Sequence, residues 1–531
     1  MNKLFDIKGN RISFLCTFLG LLAICLLPVL YHELFNNGSL SRFITSLIYT
    51  LPICLILMCI RPKWLFVLLS GLLTVMSVME TFMVVLYGNY LVAGNILAVF
   101  NTTTNESTDF IQNTFHAFPY IVPVLIAYGI SVFFSRKFQK PWFFISAAVF
   151  FVILSSVIIY TQSKKAKQTY QFYITQNVLE RPPYNFPNQL MNIIEQQKVR
   201  RLIAESESMS FGAKHEAFEG KETYVLAIGE SCRYSNMSIN GYNRKTTPLL
   251  EQINNITAYS NYYSAANLTM YSVPQILTRA TTKDYELNYK EKGIYKPFQE
   301  CGFKTYVICC DNLLTYEKYL TKGVDSLFCV ENDKDIPHLI DSLSNKHLKT
   351  FFIVQFWGNH SFYKNFDDER NVYHPNIVSE PDSKDPNLYL NSYDNTVLYT
   401  DFVLSSIIKS IDTPNTQSAF IFVSDHGEDF RPGTGGHGGN SKPNKEEYHV
   451  PFIIWHNDTW MSRHQVKAGL IKINKDKPIN SDYVFYTMCD MADIQLDKQY
   501  AKPSLSVLSE KLELHDRYLI VPDGKNVIKL K

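Results

Sequence analysis

The chain has almost no net charge, with 51 Lys and Arg against 49 Asp and Glu. A basic footprint for nucleic acid is therefore missing, and no nucleic-acid partner is expected. No Cys-x-x-Cys pair occurs, which argues against a thiolate zinc knuckle. There is no internal repeat and no low-complexity tract. No small-residue cleavage site follows the first apolar run, which is longer than a signal-peptide core. That run is expected to be a retained anchor.

What is present comes first as apolar sequence. Five stretches are long enough to span a bilayer: residues 12–31, 43–60, 64–87, 119–135 and 141–161. Lys3, Lys8 and Arg11 precede the first. Arg61 and Lys63 lie between the second and third, and Arg136, Lys137 and Lys140 between the fourth and fifth. The other two loops carry only Arg42. The positive-inside rule then puts the N-terminus in the cytoplasm, and an odd number of spans puts everything after about residue 162 on the far side. Lys164, Lys165 and Lys167 weigh against this, but three basic inside segments outvote one. Glu80 falls within the third span and is left without a role. Cys16, Cys25, Cys54 and Cys59 sit in spans as small apolar fillers. Cys232, Cys301, Cys309, Cys310, Cys329 and Cys489 lie beyond them, in a disulfide-permissive space. Cys309 or Cys310 could pair with Cys329; spacing leaves the connectivity open.

Three divisions follow: a transmembrane domain over 1–161, a bridge over 162–218 and a catalytic α/β domain over 219–531. Within the bridge, 189–203 reads as an amphipathic helix, either lying on the membrane surface or packed on the soluble domain. In the last division three short apolar runs each deliver polar residues. Tyr224-Val-Leu-Ala-Ile-Gly229 leads into Glu230. Thr350-Phe-Phe-Ile-Val-Gln-Phe-Trp-Gly358 leads into Asn359-His360. Ala419-Phe-Ile-Phe-Val-Ser424 leads into Asp425-His426-Gly427. Continuous apolar runs of this length predict strands buried on both faces. Ligands in such sheets bind at the carboxyl ends of the strands.

Glu230, Asp425 and His426 would therefore share one edge. Oxygen and nitrogen donors together favour zinc or manganese over magnesium, and three protein ligands leave a fourth position open. His437 lies in a glycine-rich loop, a composition that suits close approach to a ligand. His360 and His437 can each bind a second metal, hold a phosphate or exchange a proton with a reacting oxygen. His449 is a weaker candidate. A nucleophile is needed, and Ser264, Thr269 and Ser272 all lie near a helix start, where backbone amides favour anions. Spacing does not choose among them, and Ser272 also fits a plain helix cap ahead of Pro274.

The segment Gly229-Glu230-Ser-Cys-Arg233-Tyr-Ser-Asn-Met-Ser-Ile-Asn240-Gly241-Tyr242-Asn-Arg244-Lys-Thr-Thr-Pro248 resembles the signature of bacterial inner-membrane phosphoethanolamine transferases, in the sulfatase and alkaline-phosphatase superfamily. The resemblance extends over nearly the whole chain. It implies an N-terminal α-helical membrane domain of about five transmembrane helices, followed by a periplasmic α/β sulfatase-like, alkaline-phosphatase-like domain. The family's zinc-held threonine precedes a Tyr/Val-Ser-Val-Pro run with one residue between; here that is Thr269, with Met270 and then Tyr271-Ser-Val-Pro274. Glu230, Asp425 and His426 match the other zinc ligands, and His360 and His437 match histidines that bind substrate phosphate or a second zinc. Zinc is the implied cofactor, with Mn2+ less favoured. Ala265 and Gln275 stand where many members have a disulfide clamping the nucleophile loop. Asp311-Asn312 resembles a stretch near the phosphate, and Lys318 and Lys322 are loose candidates for the family's phosphate-binding lysine. Thr102 and Glu106 match a Thr-x-x-x-Glu segment that meets the lipid headgroup.

The implied reaction moves phosphoethanolamine from phosphatidylethanolamine to lipopolysaccharide, on a lipid A phosphate or a core sugar, through a phosphoethanolamine-threonine intermediate. The chain is expected to work as a monomer on membrane lipids, anchored in the inner membrane with its catalytic domain in the periplasm. Resistance to polymyxin-like cationic peptides is the implied consequence. Rival readings are a phosphoglycerol transferase of the lipoteichoic-acid-synthase type, a membrane-tethered sulfatase or phosphatase, and an inert membrane scaffold.

Overall fold

The computed structural model describes residues 2–35, 39–91, 115–135, 141–165, 174, 178–216, 218–310, 318–360, 363–430, 437, 444–520 and 527–530. The chain divides into two compact units, Met1–Val199 and Arg200–Lys531.

The first unit is helical: α1 (Asn2–Phe35), α2 (Leu40–Met58), α3 (Lys63–Tyr87), α4 (Phe118–Phe134), α5 (Pro141–Lys165) and α6 (Asn185–Glu205), the last running on into the second unit. Leu21, Ile24, Cys54, Leu57, Leu73 and Ala127 pack together in its interior. Leu19, Leu72, Val75, Ile126, Phe133 and Phe150 stand exposed. A helix apolar on its outer as well as its inner face is built for hydrocarbon. Arg11–Phe35, Leu40–Met58, Lys63–Leu86 and Ile145–Ser163 are long and apolar enough to cross a membrane. The 17-residue α4 is apolar but shorter; at 1.5 Å per residue it covers about 26 Å, a few Å short of a typical hydrocarbon core. Glu80 is buried and fully engaged, accepting from Asn185 Nδ2 at 2.9 Å and from the Leu91 amide at 3.0 Å. On α6, Leu190, Met191 and Ile194 are exposed at i, i+1 and i+4, one apolar stripe on its surface.

The second unit is built on a seven-stranded sheet. Its strands are β1 (Lys221–Gly229), β2 (Ile256–Ala258), β3 (Lys304–Cys310), β4 (Ser326–Val330), β5 (Lys349–Gln355), β6 (Thr416–Ser424) and β7 (Phe452–His456), in the order β2-β7-β6-β1-β5-β3-β4. The five strands from β6 to β4 pair in parallel, while β7 and β2 close the other edge antiparallel. Successive residues of β1 enter opposite cores, as strand geometry requires. Tyr224, Leu226 and Ile228 pack with Val273, Ile276 and Leu277 of helix α7 (Thr269–Leu277) on one face. Val225 and Ala227 pack on the other with Ile336 and Ile340 of α8 (Ile336–Ser344) and Val397, Leu404 and Ile408 of α9 (Leu388–Ile411). Phe211, ahead of the sheet, is wholly buried in the first of these cores, and its carbonyl accepts from the Asp497 amide at 3.0 Å.

Register decides where the chemistry falls. Gly229 pairs with Ser424, and Ile228 with Gln355. The three central strands therefore end level, and the residues that follow them share one edge.

Candidate active site at the carboxyl edge of the sheet

Glu230 and Asp425 leave adjacent strand ends. Ser231 takes a left-handed φ of +58°, so its amide reaches Asp425 Oδ1 at 3.0 Å while its hydroxyl donates to Glu230 Oε1 at 2.8 Å. The His426 amide also donates to Asp425 Oδ1, at 2.6 Å. The other oxygen, Asp425 Oδ2, is buried and has no hydrogen-bond partner. It lies 3.5 Å from His426 Nε2, which lies 3.4 Å from Glu230 Oε1. Burial, and next the adjacent Asp425 carboxylate, push the Glu230 carboxyl well above the ordinary carboxylate range.

The histidine tautomer sharpens this picture. His426 Nδ1 donates to the Gly427 carbonyl at 3.0 Å. In the neutral ring Nε2 then carries the lone pair. That lone pair faces two carboxyl groups, so three potential ligand atoms converge on one point, where a bound cation would relieve their mutual repulsion. Ligand atoms of Glu230, Asp425 and His426 all lie within 4.8 Å of one another. Two oxygens and one imidazole nitrogen in a buried pocket fit zinc.

Thr269 lies beside these three residues. Its Oγ1 donates to Glu230 Oε2 at 3.2 Å and stands 3.3 Å from His426 Nε2. It opens α7, with Leu268 in the capping position. The structure separates it from the two serines that spacing could not distinguish. Ser264 and Ser272 are fully buried and both hydroxyls donate to the Asp425 carbonyl, that of Ser272 at 2.5 Å. They hold the Asp425 loop against α7 and are committed to that task. The helix begins at Thr269, so Pro274 lies inside it and Ser272 is not its cap. Proline removes the amide that would bond the Met270 carbonyl, and the Tyr285 hydroxyl donates to that carbonyl at 2.9 Å instead.

Two further turns are fitted closely to the site. Gly358 has φ +54°, and a Cβ there would stand 3.0 Å from the Glu230 carbonyl oxygen. The next residue, Asn359, donates its amide to that same oxygen at 3.0 Å. A Cβ at Gly427 would overlap the Glu446 carbonyl. The first of these turns carries His360, whose ring lies 4.7 Å from that of Trp357. Asp333 pins the turn, accepting from the Trp357 amide at 2.9 Å and the Gly358 amide at 3.0 Å.

His437 lies with its ring 4.1 Å from that of His426, and its Nδ1 meets Glu428 Oε1 at 2.5 Å. The other oxygen of Glu428 accepts from Tyr363 at 2.9 Å. Glu428 is wholly buried, and with His426 and His437 it forms a second group able to hold a metal. Sequence reading passed over Glu428. Its position two residues after His426 was the available signal, but nothing in the spacing says that it turns inward.

The long signature after Glu230 serves mainly as a clamp. Asn236, Tyr242 and Arg244 converge on Asp394 of α9, at 2.8, 3.0 and 2.8 Å. The Leu249 and Leu250 amides both donate to Asp401, at 2.9 Å. Arg233 bonds Glu446 at 2.7 Å and lies over the Phe430 ring. These contacts fasten the loop after β1 to the long helix. His449 is structural as well. It is stacked between Tyr234 and Tyr263, with Nε2 bonded to the Ser260 carbonyl at 3.0 Å. Lys322 is exposed and paired with Glu207. Thr102, Glu106, Asp311 and Asn312 lie outside the described residues, as does the side chain of Lys318.

Comparison with known proteins gives the following. The family model described as Sulfatase matches residues 222–494. Phosphoethanolamine transferase EptC of Escherichia coli K12 is 23% identical, over 93% of this chain and 90% of that protein. The zinc-complexed crystal structure of the C-terminal periplasmic domain of Escherichia coli EptC superposes with a TM-score of 0.52 at 25% identity, covering 60% of this chain and 94% of that one. The integral membrane protein lipooligosaccharide phosphoethanolamine transferase A of Neisseria meningitidis has the same fold over 93% of this chain and 98% of its own, with a TM-score of 0.56 at 19% identity.

Proposed function

The chain belongs to the sulfatase family, and from that premise we propose that it transfers phosphoethanolamine from phosphatidylethanolamine to a lipopolysaccharide acceptor, a lipid A phosphate or a core sugar, with Thr269 as nucleophile. The observation that carries the reading is the position of Thr269 Oγ1. It lies at a helix start, in hydrogen-bond range of Glu230 and His426, beside the unpartnered oxygen of Asp425. The name of the EptC relative supports the choice of group transferred, and the zinc-complexed EptC domain supports the choice of metal.

Glu230, Asp425, His426 and Thr269 would hold zinc. Bound there, the metal supplies Lewis acidity and lowers the pKa of a coordinated hydroxyl. The residues of the chain do the rest. Glu230 Oε2 accepts the Thr269 proton and aims its oxygen. The amides at the start of α7 face the incoming phosphodiester. Thr269 Oγ1 attacks phosphorus, the bond to the diacylglycerol oxygen breaks, and His360 or His437 gives that oxygen a proton. Glu428 holds the Nδ1 proton of His437, leaving Nε2 for the exchange. An acceptor oxygen then loses its proton to the same histidine and attacks phosphorus. The bond to Thr269 breaks, and the threonine recovers its proton.

The apolar helices anchor this chemistry in the plane that holds both lipids. Tethering raises the local concentration of donor and acceptor. In this reading the N-terminus is cytoplasmic and the second unit periplasmic, in the inner membrane. The added ammonium lowers the negative surface charge to which cationic peptides bind.

The test is diacylglycerol release from acyl-labelled phosphatidylethanolamine by the detergent-purified chain, with Thr269→Ala alongside and phosphatidylglycerol as competing donor. The reading expects release that needs Thr269 and prefers ethanolamine. Release from phosphatidylglycerol alone points to a phosphoglycerol transferase. Release with free phosphoethanolamine as product, even when acceptor is present, points to a hydrolase.

A further inference from the structure

Six cysteines lie in the second unit, and two of them meet. Cys309 on β3 and Cys329 on β4 are register partners on adjacent parallel strands. Their sulfurs are 3.4 Å apart. Neighbouring strands run about 4.8 Å apart, inside the Cα separation of about 4.4–6.8 Å that a disulfide needs. Directly paired residues of a parallel pair also point to the same face. Cys310, the competitor by sequence, points the other way, with its thiol on the Glu331 carbonyl at 3.3 Å. Cys329 is exposed on the edge strand and Cys309 is buried behind it. One thiol is therefore open to an oxidant and the other is poised to resolve the product.

We propose that Cys309 and Cys329 form a disulfide that staples the edge strand to the carboxyl end of β3. The proposal rests on the reading that the second unit lies outside the cytoplasm, where disulfides persist. The oxidant is a protein or small-molecule disulfide. The Cys329 thiolate attacks one of its sulfurs and expels a thiol. The Cys309 thiolate then attacks Cys329 Sγ, breaks the mixed disulfide and expels the second thiol. Two cysteine thiols are oxidised, one external disulfide is reduced, and the two protons pass to the departing thiols. The location gives the staple a purpose. Cys310 is followed directly by Asp311-Asn312, the stretch that family resemblance places near the phosphate, while Ala265 and Gln275 leave the nucleophile loop unstapled. Rigidity missing on one side of the site is supplied on the other.

The experiment is thiol mapping of the full-length protein. Membranes are dissolved in denaturant with N-ethylmaleimide present, so that buried thiols are alkylated too, and the protein is purified, digested without reductant and sequenced by tandem mass spectrometry. The expected result is a cross-linked pair of peptides joined through Cys309 and Cys329, with Cys310 alkylated. Reduction before alkylation should free both. In Cys329→Ser, Cys309 should be alkylated without reduction. Alkylated Cys329 in the unreduced wild type overturns the proposal, as does a Cys310–Cys329 link. A second arm separates this failure from failure of the topology. Cys309→Ser is treated with a membrane-impermeant maleimide on cells whose outer envelope alone is permeable. If Cys329 is labelled there while the wild-type thiols remain free, the disulfide is refuted and the topology stands. If Cys329 is labelled only after the inner membrane is breached, the topology fails and the disulfide with it.

Discussion

Replacing Asp394 should separate the scaffolding role of the signature from a role in binding substrate. The Asp394 side chain is fully buried on α9. It accepts from Asn236, Tyr242 and Arg244, so Asp394→Ala leaves an amide and a hydroxyl without their acceptor and the Arg244 guanidinium with Asn391 Oδ1 but no countercharge. Breaking a buried pair from the carboxylate side costs about 3–5 kcal/mol. Arg244→Ala should cost less. The Arg244 side chain is 28% exposed, and Asp394 keeps two of its three donors, so about 1–2 kcal/mol is expected. At about 2 °C per kcal/mol for a unit of this size, the melting temperature should fall by about 6–10 °C in the first variant and about 2–4 °C in the second. The assay is thermal melting of the detergent-purified chain followed by tryptophan fluorescence, with donor KM measured well below the transition. KM should stay within about twofold of wild type in Arg244→Ala, a change under about 0.5 kcal/mol. A large rise in KM with no shift in melting temperature would refute the clamp and make Arg244 a substrate contact.

Two other outcomes follow from the geometry. Asp425→Asn removes one charge from the three-acceptor cluster, and zinc retention after dialysis against a mild chelator should fall by at least about 100-fold, more than loss of an outer hydrogen-bond partner costs; undiminished zinc would contradict the assignment. Asp493 reports on acid stability. Burial raises its carboxyl, but the His464 hydrogen bond and then the Lys467 charge outweigh that and hold it at about 2, below about 3.9 for an unfolded Asp. Its contribution, at most about 2.6 kcal/mol, is therefore present above about pH 4 and is lost as pH falls towards 2. Asp493→Asn should flatten the stability profile across that window and leave it parallel to wild type above pH 5; an unchanged acid slope would show that the ion pair is not formed.

The strands that carry Glu230, Asp425 and His360 were legible because each is a continuous apolar run, and a parallel sheet buried on both faces leaves little else for such runs to be. Their shared edge follows from parallel pairing. The boundary after β5 was less legible. Phe356 and Trp357 continue the apolar pattern, but the strand stops at Gln355 and the chain turns through Gly358 against the Glu230 backbone. What sequence could not carry was partnership over distance. Tyr242 and Arg244 are signature residues with no assigned task until Asp394, some 150 positions on, is seen to take their hydrogen bonds. Ser264, Thr269 and Ser272 were equivalent hydroxyls until the Asp425 carbonyl claimed two of them. Glu428 was invisible because a carboxylate in a polar loop is usually solvated, and only its bonds to His437 and Tyr363 show it turned inward. The choice between Cys309 and Cys310 is likewise a matter of strand pleat, which spacing does not report.

The most direct measurement is peptide mapping of the protein after incubation with headgroup-labelled phosphatidylethanolamine in the absence of acceptor. Thr269 carrying labelled phosphoethanolamine, discharged when a lipid A acceptor is added and missing in Thr269→Ala, is the predicted result. Label on another residue, or diacylglycerol release with no covalent species on Thr269, would contradict the account.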